Sequence, residues 1–210
     1  RGELRQFAEA YAAERKFEQA RRVLDATSGG GLRAPAFEQR LAEISFRIDQ
    51  GKWEQGLAEA RRQAEEATEV SRLNAWASEG LLLALRSYDP DDRFKADLQR
   101  YFEAQSELLD TASRLERRHL VFHVLAAGWM AARNGQPALA RNSLARVQAY
   151  PELSGFPANA DMARIVQAEL LLAEGRAEEA LAALFHDGEE AEELYLMHAT
   201  RLRVHEARGD

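Results

Sequence analysis

The stretch Val124–Leu144, VLAAGWMAARNGQPALARNSL, decides how this chain is read. It predicts two helices joined by a tight turn at Gly135. Gly128 lies seven residues before that turn, Ala140 five residues after it, and Leu144 four further on. Small side chains let two antiparallel helices cross closely, and larger ones fill the gaps around the crossing. The rest of the chain repeats this layout with variations.

Toward the N-terminus, residues 4–26 give the cleanest second example. Leu4, Phe7, Ala8 and Tyr11 share one helical face, Arg15-Lys16 make the turn, and Phe17, Ala20 and Leu24 form the facing stripe. These spacings of three, four and seven are those of an amphipathic helix. Ser28-Gly29-Gly30-Gly31 ends the pair, and Pro35 suits the first turn of the next helix. Phe37, Leu41, Ile44 and Ile48 mark that helix, which Gly51 ends; Trp53, Gly56, Leu57 and Ala60 begin its partner.

A third pair carries Leu73, Trp76, Leu81, Leu82 and Leu85, then a turn at Tyr88-Asp89-Pro90-Asp91-Asp92, then Phe94, Leu98, Tyr101, Phe102, Leu108 and Leu109. Pro and Asp in that turn supply a stop and an N-cap. The fourth pair starts near Ser113 and ends near Tyr150-Pro151. A loop over 151–159 leads to the fifth pair, with Gly175 at its turn and Asp187-Gly188 at its end. The expected pairs are residues 2–27, 35–68, 69–111, 113–149 and 159–187, followed by one helix over 189–208. The second helices are anchored at Phe17, Trp53, Phe94, Pro137 and Ala177, with gaps of 36, 41, 43 and 40 residues. A unit of two helices and two short turns needs roughly 34 residues, so the longer gaps lengthen helices or loops without changing the unit. The reading is all-α: a single right-handed α-solenoid over residues 1–210, of about five helix pairs plus one helix, each pair burying its face against its neighbours.

Composition agrees. Of 210 residues 46% are hydrophobic, five are proline, and helix formers dominate. With 35 acidic and 28 basic residues the net charge is −7, and no basic stripe gathers the cations, which argues against nucleic-acid binding by this segment. There is no cysteine, so neither a disulfide nor a thiolate metal site forms. No 18-residue apolar run or signal peptide points to a membrane, and a cytoplasmic location is expected. Arg1 at the start and Ala207-Arg208-Gly209-Asp210 at the end read as cuts through a repeat, so a fragment of a longer protein is expected.

These residues resemble the tetratricopeptide repeat (TPR). Residues 4–26 match it at Leu4, Phe7-Ala8, Tyr11, Phe17, Ala20 and Leu24, with Arg15 replacing the turn glycine. The fourth pair matches at Val124, Ala127-Gly128, Gly135, Ala140, Leu144 and Val147, with Pro137 in place of the aromatic. The fifth matches at Ala168, Leu171, Gly175, Ala180 and Leu184. The second pair fits at Gly51, Trp53 and Gly56, but Ile44 stands where a small residue belongs. AELLLAEGRAEEALAALF and ATRLRVHEARGD are also similar to repeats in the maltose-activator type of LuxR-family regulators and in the TPR tails of signalling cyclases. The resemblance implies a sensing or partner-binding module, with any DNA-binding or catalytic domain outside these residues.

Nothing in the sequence points to catalysis or a cofactor. His119 and His123 share a helical face at a metal-ligand spacing, but the glutamate of an HExxH motif is missing and no third ligand stands near, so they read as core or surface histidines. His198 and His205 read the same way. The acidic run Glu189-Glu190 with Glu192-Glu193 reads as a solvated helix start. Gly29-Gly30-Gly31 lacks the Lys-Ser/Thr of a phosphate loop, and Arg208-Gly209-Asp210 reads as a turn.

In TPR-like stacks the first helices line the concave face. The resemblance implies face positions at Arg5 and Glu9, at Leu82 and Arg86, at Phe122, Leu125, Trp129 and Arg133, at Met162, Ile165 and Glu169, and at Arg203. Arg86, Phe122, Trp129, Arg133, Glu169 and Arg203 are the candidate partner-binding residues. Trp129 is the anchor, since Trp with Arg is the usual composition of a binding hot spot, unless it packs as core. The expected function is non-catalytic binding of a protein or peptide, in a regulatory segment of a bacterial signalling protein. A small-molecule sensor and a self-association module, such as a homodimer, are the alternatives.

Overall fold

The computed structural model describes residues 8, 10–29, 36–66, 69–151, 156–185 and 194–209, with 24–29, 36–41, 64, 69–75 and 78 described by backbone alone. The expectations for Leu4, Arg5, Phe7, Glu9, Gly30, Gly31, Pro35, Asp187, Gly188 and the Glu189–Glu193 run lie outside the described residues. So do those for the side chains of Leu24, Phe37, Leu41 and Leu73. The described residues are all-helical. Residues 8 and 10–13 belong to α1. There follow α2 (Phe17–Gly29), α3 (Ala36–Asp49), α4 (Trp53–Glu66), α5 (Glu69–Arg86), α6 (Phe94–Thr111), α7 (Arg114–Arg133), α8 (Pro137–Gln148), α9 (Pro157–Ala173), α10 (Ala177–Leu184) and α11 (Tyr195–Arg208). The even-numbered helices α2 to α10 begin at Phe17, Trp53, Phe94, Pro137 and Ala177, the five anchors read from the sequence.

Local chemistry sets these boundaries. Ser113 caps α7 in a reciprocal arrangement: the Glu116 backbone N–H donates to its hydroxyl, and the Glu116 carboxylate accepts from the Ser113 N–H at 2.9 Å. Asp91 Oδ1 accepts from the backbone N–H groups of Arg93 and Phe94 and so caps α6. Pro137 and Pro157 open α8 and α9, where a missing N–H costs nothing.

One turn recurs four times. Arg15, Gly51, Gly135 and Gly175 all take a left-handed conformation, with φ of 61, 74, 68 and 75°. The next residue's N–H then reaches back to the carbonyl five residues earlier: Lys16 to Tyr11, Lys52 to Arg47, Gln136 to Ala131 and Arg176 to Leu171, at 2.8–2.9 Å. This cap satisfies carbonyls that a helix end would leave unpaired, and the following residue starts the next helix. Gly209 repeats the conformation, with φ 80°, at the end of α11.

Small residues keep a fixed distance from each turn. Ala20, Gly56, Ala140 and Ala180 stand five residues after it, and all are buried. Seven residues before it stand Ala8, Ile44, Gly128 and Ala168, also buried. Where the earlier position is large, at Ile44, the later one is glycine: a Cβ on Gly56 would lie 3.4 Å from Ile48 Cγ1 and 3.7 Å from the Ile44 carbonyl oxygen. These are ordinary van der Waals distances, so this crossing is less tight than the one at Gly128. In the fourth pair the residue seated on Gly128 is Ser143 of α8; Leu144 is only half-buried.

The chain forms two compact units, residues 1–82 and 83–210, with the division falling inside α5. In the first, α3 packs on α2 and α4. Ala8, Ala12, Ala20 and Phe46 form one cluster, with Phe17 tilted against Phe46 at 6.4 Å between ring centres. Ile44, Leu57, Ala60 and Leu82 form another. In the second unit each helix from α6 onward packs on the next, and α6, α7 and α9 also pack on the next but one: α6 on α8, α7 on α9, and α9 on α11. Val121, Val124, Leu125, Met130, Ile165 and Val166 are fully buried there.

Candidate binding site

The spacing rule that sets the crossings also aligns a set of polar residues in the second unit. Trp129 on α7, Glu169 on α9 and Arg203 on α11 each stand six residues before a left-handed glycine, at 135, 175 and 209. Since α7 packs on α9 and α9 on α11, equal register brings the three positions into line. Arg203 Nη1 donates to Glu169 Oε2, and the Thr200 hydroxyl donates to Glu169 Oε1 at 3.3 Å. Arg133 Nη1 stands 3.6 Å from Glu169 Oε1, and its guanidinium carbon lies 4.9 Å from the Tyr88 ring centre and 5.4 Å from that of Trp129.

Glu169 is 1% exposed, so its charge needs partners inside the protein. Two guanidiniums serve this single carboxylate; Arg133 is 16% exposed and Arg203 37%. The cluster therefore carries one excess positive charge in a chain of net charge −7. Trp129 is 3% exposed and forms a floor beneath Arg133, not an exposed anchor. Its indole Nε1 is buried without a hydrogen-bond partner.

Four of the six residues picked from the sequence thus meet: Trp129, Arg133, Glu169 and Arg203. Arg86 lies apart from them; it is 6% exposed, with its guanidinium held by Asp91 and by Asp97 at 2.8 Å. Burial alone would raise the Asp91 carboxyl, but bonds from Arg86 and from the N–H groups of Arg93 and Phe94 outweigh it and hold the group below the usual range. Phe122 is half-buried, edge-on to His123 at 6.2 Å. Leu82, Leu125, Met162 and Ile165 are core. Two members of the cluster were not read from the sequence. Thr200 shares a face with Arg203, three residues away, which was a usable signal. Tyr88 belongs to the α5–α6 loop and gave none.

His123 Nδ1 and the Tyr101 hydroxyl share a hydrogen bond of 2.9 Å, and the two rings meet edge-on. Burial first, and the neighbouring His119 second, lower the His123 pKa to about 4, so the ring is neutral at pH 7. Among the described residues no group of three His, Cys, Asp or Glu is placed to hold a metal, and no helix is long and apolar enough to cross a membrane.

Two open grooves lie among the described residues. One of about 300 Å³ lies over Leu144, Leu170 and Leu171, with Arg141 and Arg176 both paired to Glu174 at its edge. The other, about 390 Å³, lies in the first unit beside Phe17, Phe46 and Asp49.

No protein-family model, curated protein or solved structure matches this chain. The class that the structure defines is an all-helical protein built on recurring capped helix turns.

Proposed function

We propose that this chain is a non-catalytic peptide-binding module: a right-handed, TPR-like solenoid whose first helices present a partner-binding face. The recurrent left-handed turn, the small residues at fixed distances from it, and the packing of helices on their next and next-but-one neighbours support the solenoid. One observation carries the binding reading. Trp129, Glu169 and Arg203 occupy one register position on three successive first helices, and with Arg133 they form a cluster with excess positive charge. Such a face suits an extended or helical segment bearing acidic groups. By its repeat style the module belongs to a regulatory segment of a bacterial signalling protein in the cytoplasm.

The test is selection from a random peptide display library against the purified chain. Selected peptides should be acidic and should lose at least about tenfold in affinity to Arg133→Glu, but not to Arg141→Glu at the α8–α9 groove. Failure to select any peptide, or equal binding by both variants, rejects the reading.

Self-association is favoured by a separate observation: Tyr195 and Leu202 share an exposed face of α11, and Phe185 is exposed nearby in the chain. Light scattering across a concentration series tests it, with mass rising as concentration rises if it holds. The small-molecule reading asks for a closed apolar cavity, whereas the two grooves described are open.

A further inference from the structure

We infer that Trp129 and Arg133 form a single seat for a carboxylate carried on a peptide side chain, and that Glu169 and Arg203 hold this seat in position. The inference rests on the peptide-binding reading and says which chemistry that face takes.

The two arginines differ in what they touch. Arg203 hydrogen-bonds Glu169. The Arg133 side chain makes no hydrogen bond among the described residues; it stands 3.6 Å from the Glu169 carboxylate and lies over the two ring faces. Its guanidinium is held by stacking and by the Glu169 charge, with no hydrogen bond from its N–H donors to a described residue. Four residues earlier on the same helix, one turn away, the Trp129 Nε1–H is buried and also lacks an acceptor. Native proteins rarely bury a donor without a partner, and each such group calls for an explanation. A buried indole donor without an acceptor and a guanidinium without a hydrogen bond thus lie one turn apart in a cluster that has one cation too many.

A carboxylate fits on both counts. Its two oxygens accept from two neighbouring donors at once, and its single negative charge balances the single excess positive one. A phosphate ester, at about −1.5 to −2, overshoots that balance. In the proposed seat a change of the Arg133 rotamer, which no hydrogen bond opposes, admits the ligand beside the indole.

The experiment is a ¹H–¹⁵N correlation titration of the whole chain. Its three tryptophans give three indole N–H signals, and Trp129→Phe assigns the relevant one. The probes are the acetylated, amidated peptide Ala-Ala-Glu-Ala-Ala and its Gln counterpart. The Glu peptide should move the Trp129 indole proton downfield and saturably, and the Gln peptide should bind at least about tenfold more weakly. Arg133→Lys keeps the charge but loses the planar fork, and should weaken the Glu peptide at least about tenfold. Arg141→Lys, at the α8–α9 groove away from the cluster, should stay within about threefold of wild type. A Trp129 signal unmoved at saturation, or equal losses in the two lysine variants, overturns the seat. Should Arg133→Lys not fold, the wild-type indole titration decides alone. If library-selected peptides bind through this face without acidic residues and without moving the Trp129 signal, only the seat fails. If neither the library nor the probes bind, the binding-module reading fails with it.

Discussion

Gly128 of α7 lies against Ser143 of α8 so closely that a β-carbon on Gly128 would fall 2.8 Å from the Ser143 β-carbon, and 3.3 Å from Val166 Cγ1 on α9. Rotating the Ser143 hydroxyl away does not relieve the first contact, because it is made by the β-carbon. The glycine therefore fixes how near three helices approach.

Gly128→Ala should destabilise the chain even though alanine is the better helix former by about 1 kcal/mol. Overpacking in a filled crossing costs about 1–3 kcal/mol, and more where backbones must separate. Ser143→Gly in the same chain removes the opposing β-carbon and should restore part of the loss. Urea unfolding of the two single variants and the double variant checks this; additive losses would show that the two residues do not touch.

Arg15 holds the left-handed turn conformation that glycine holds at 51, 135 and 175. A side chain in that region costs about 1–2 kcal/mol, partly offset because glycine loses more entropy on folding. Arg15→Gly should therefore raise the stability of the first unit, by up to about 1 kcal/mol, and Gly135→Ala should lower that of the second by a similar amount. Thermal unfolding followed by far-UV circular dichroism measures both. A lower melting temperature for Arg15→Gly would contradict the strain argument.

His123 should make stability fall with acid. Its folded pKa of about 4 lies below the unfolded value of 6.5. Between these pH values the unfolded chain binds a proton that the folded chain does not, so stability rises with pH across the window. The contribution is complete above about pH 6.5 and is lost as pH falls toward 4, and amounts to at most about 3 kcal/mol. Comparing wild type with His123→Gln by urea unfolding at pH 7, 5.5 and 4 isolates it from the carboxylates. The difference between the two should shrink through that window, and a constant difference would refute the assignment.

Arg86 should matter for stability and not for partner binding. It is buried between Asp91 and Asp97, and Asp91 also caps α6. Arg86→Met removes the cation that bridges Asp97 and the half-exposed Asp91 and should cost about 1–3 kcal/mol. Combining it with Asp97→Asn should cost less than the sum of the two single changes. Chemical unfolding reads the cost, and peptide affinity at permissive temperature should be unchanged.

The sequence by itself determined the element list and its punctuation. Alternating helical stripes and turn residues placed the starts of α2, α4, α6, α8 and α10, because those are set within a few residues by caps, prolines and left-handed glycines. Trp129, Arg133, Glu169 and Arg203 come from the resemblance to the tetratricopeptide repeat, which implies face positions that spacing alone does not give. Tertiary structure alone decided which faces are covered and what each polar group meets. A helical period says that Arg86 and Leu82 share a face, but not that the face is buried. Ser143 and not Leu144 meets Gly128 because the crossing angle and depth of α8 on α7 choose between adjacent side chains. Tyr88 reaches Arg133, and Tyr101 reaches His123, across stretches of chain that carry no local signal. Periodicity is a one-dimensional property of a single helix, whereas burial and pairing depend on the neighbour that packs against it.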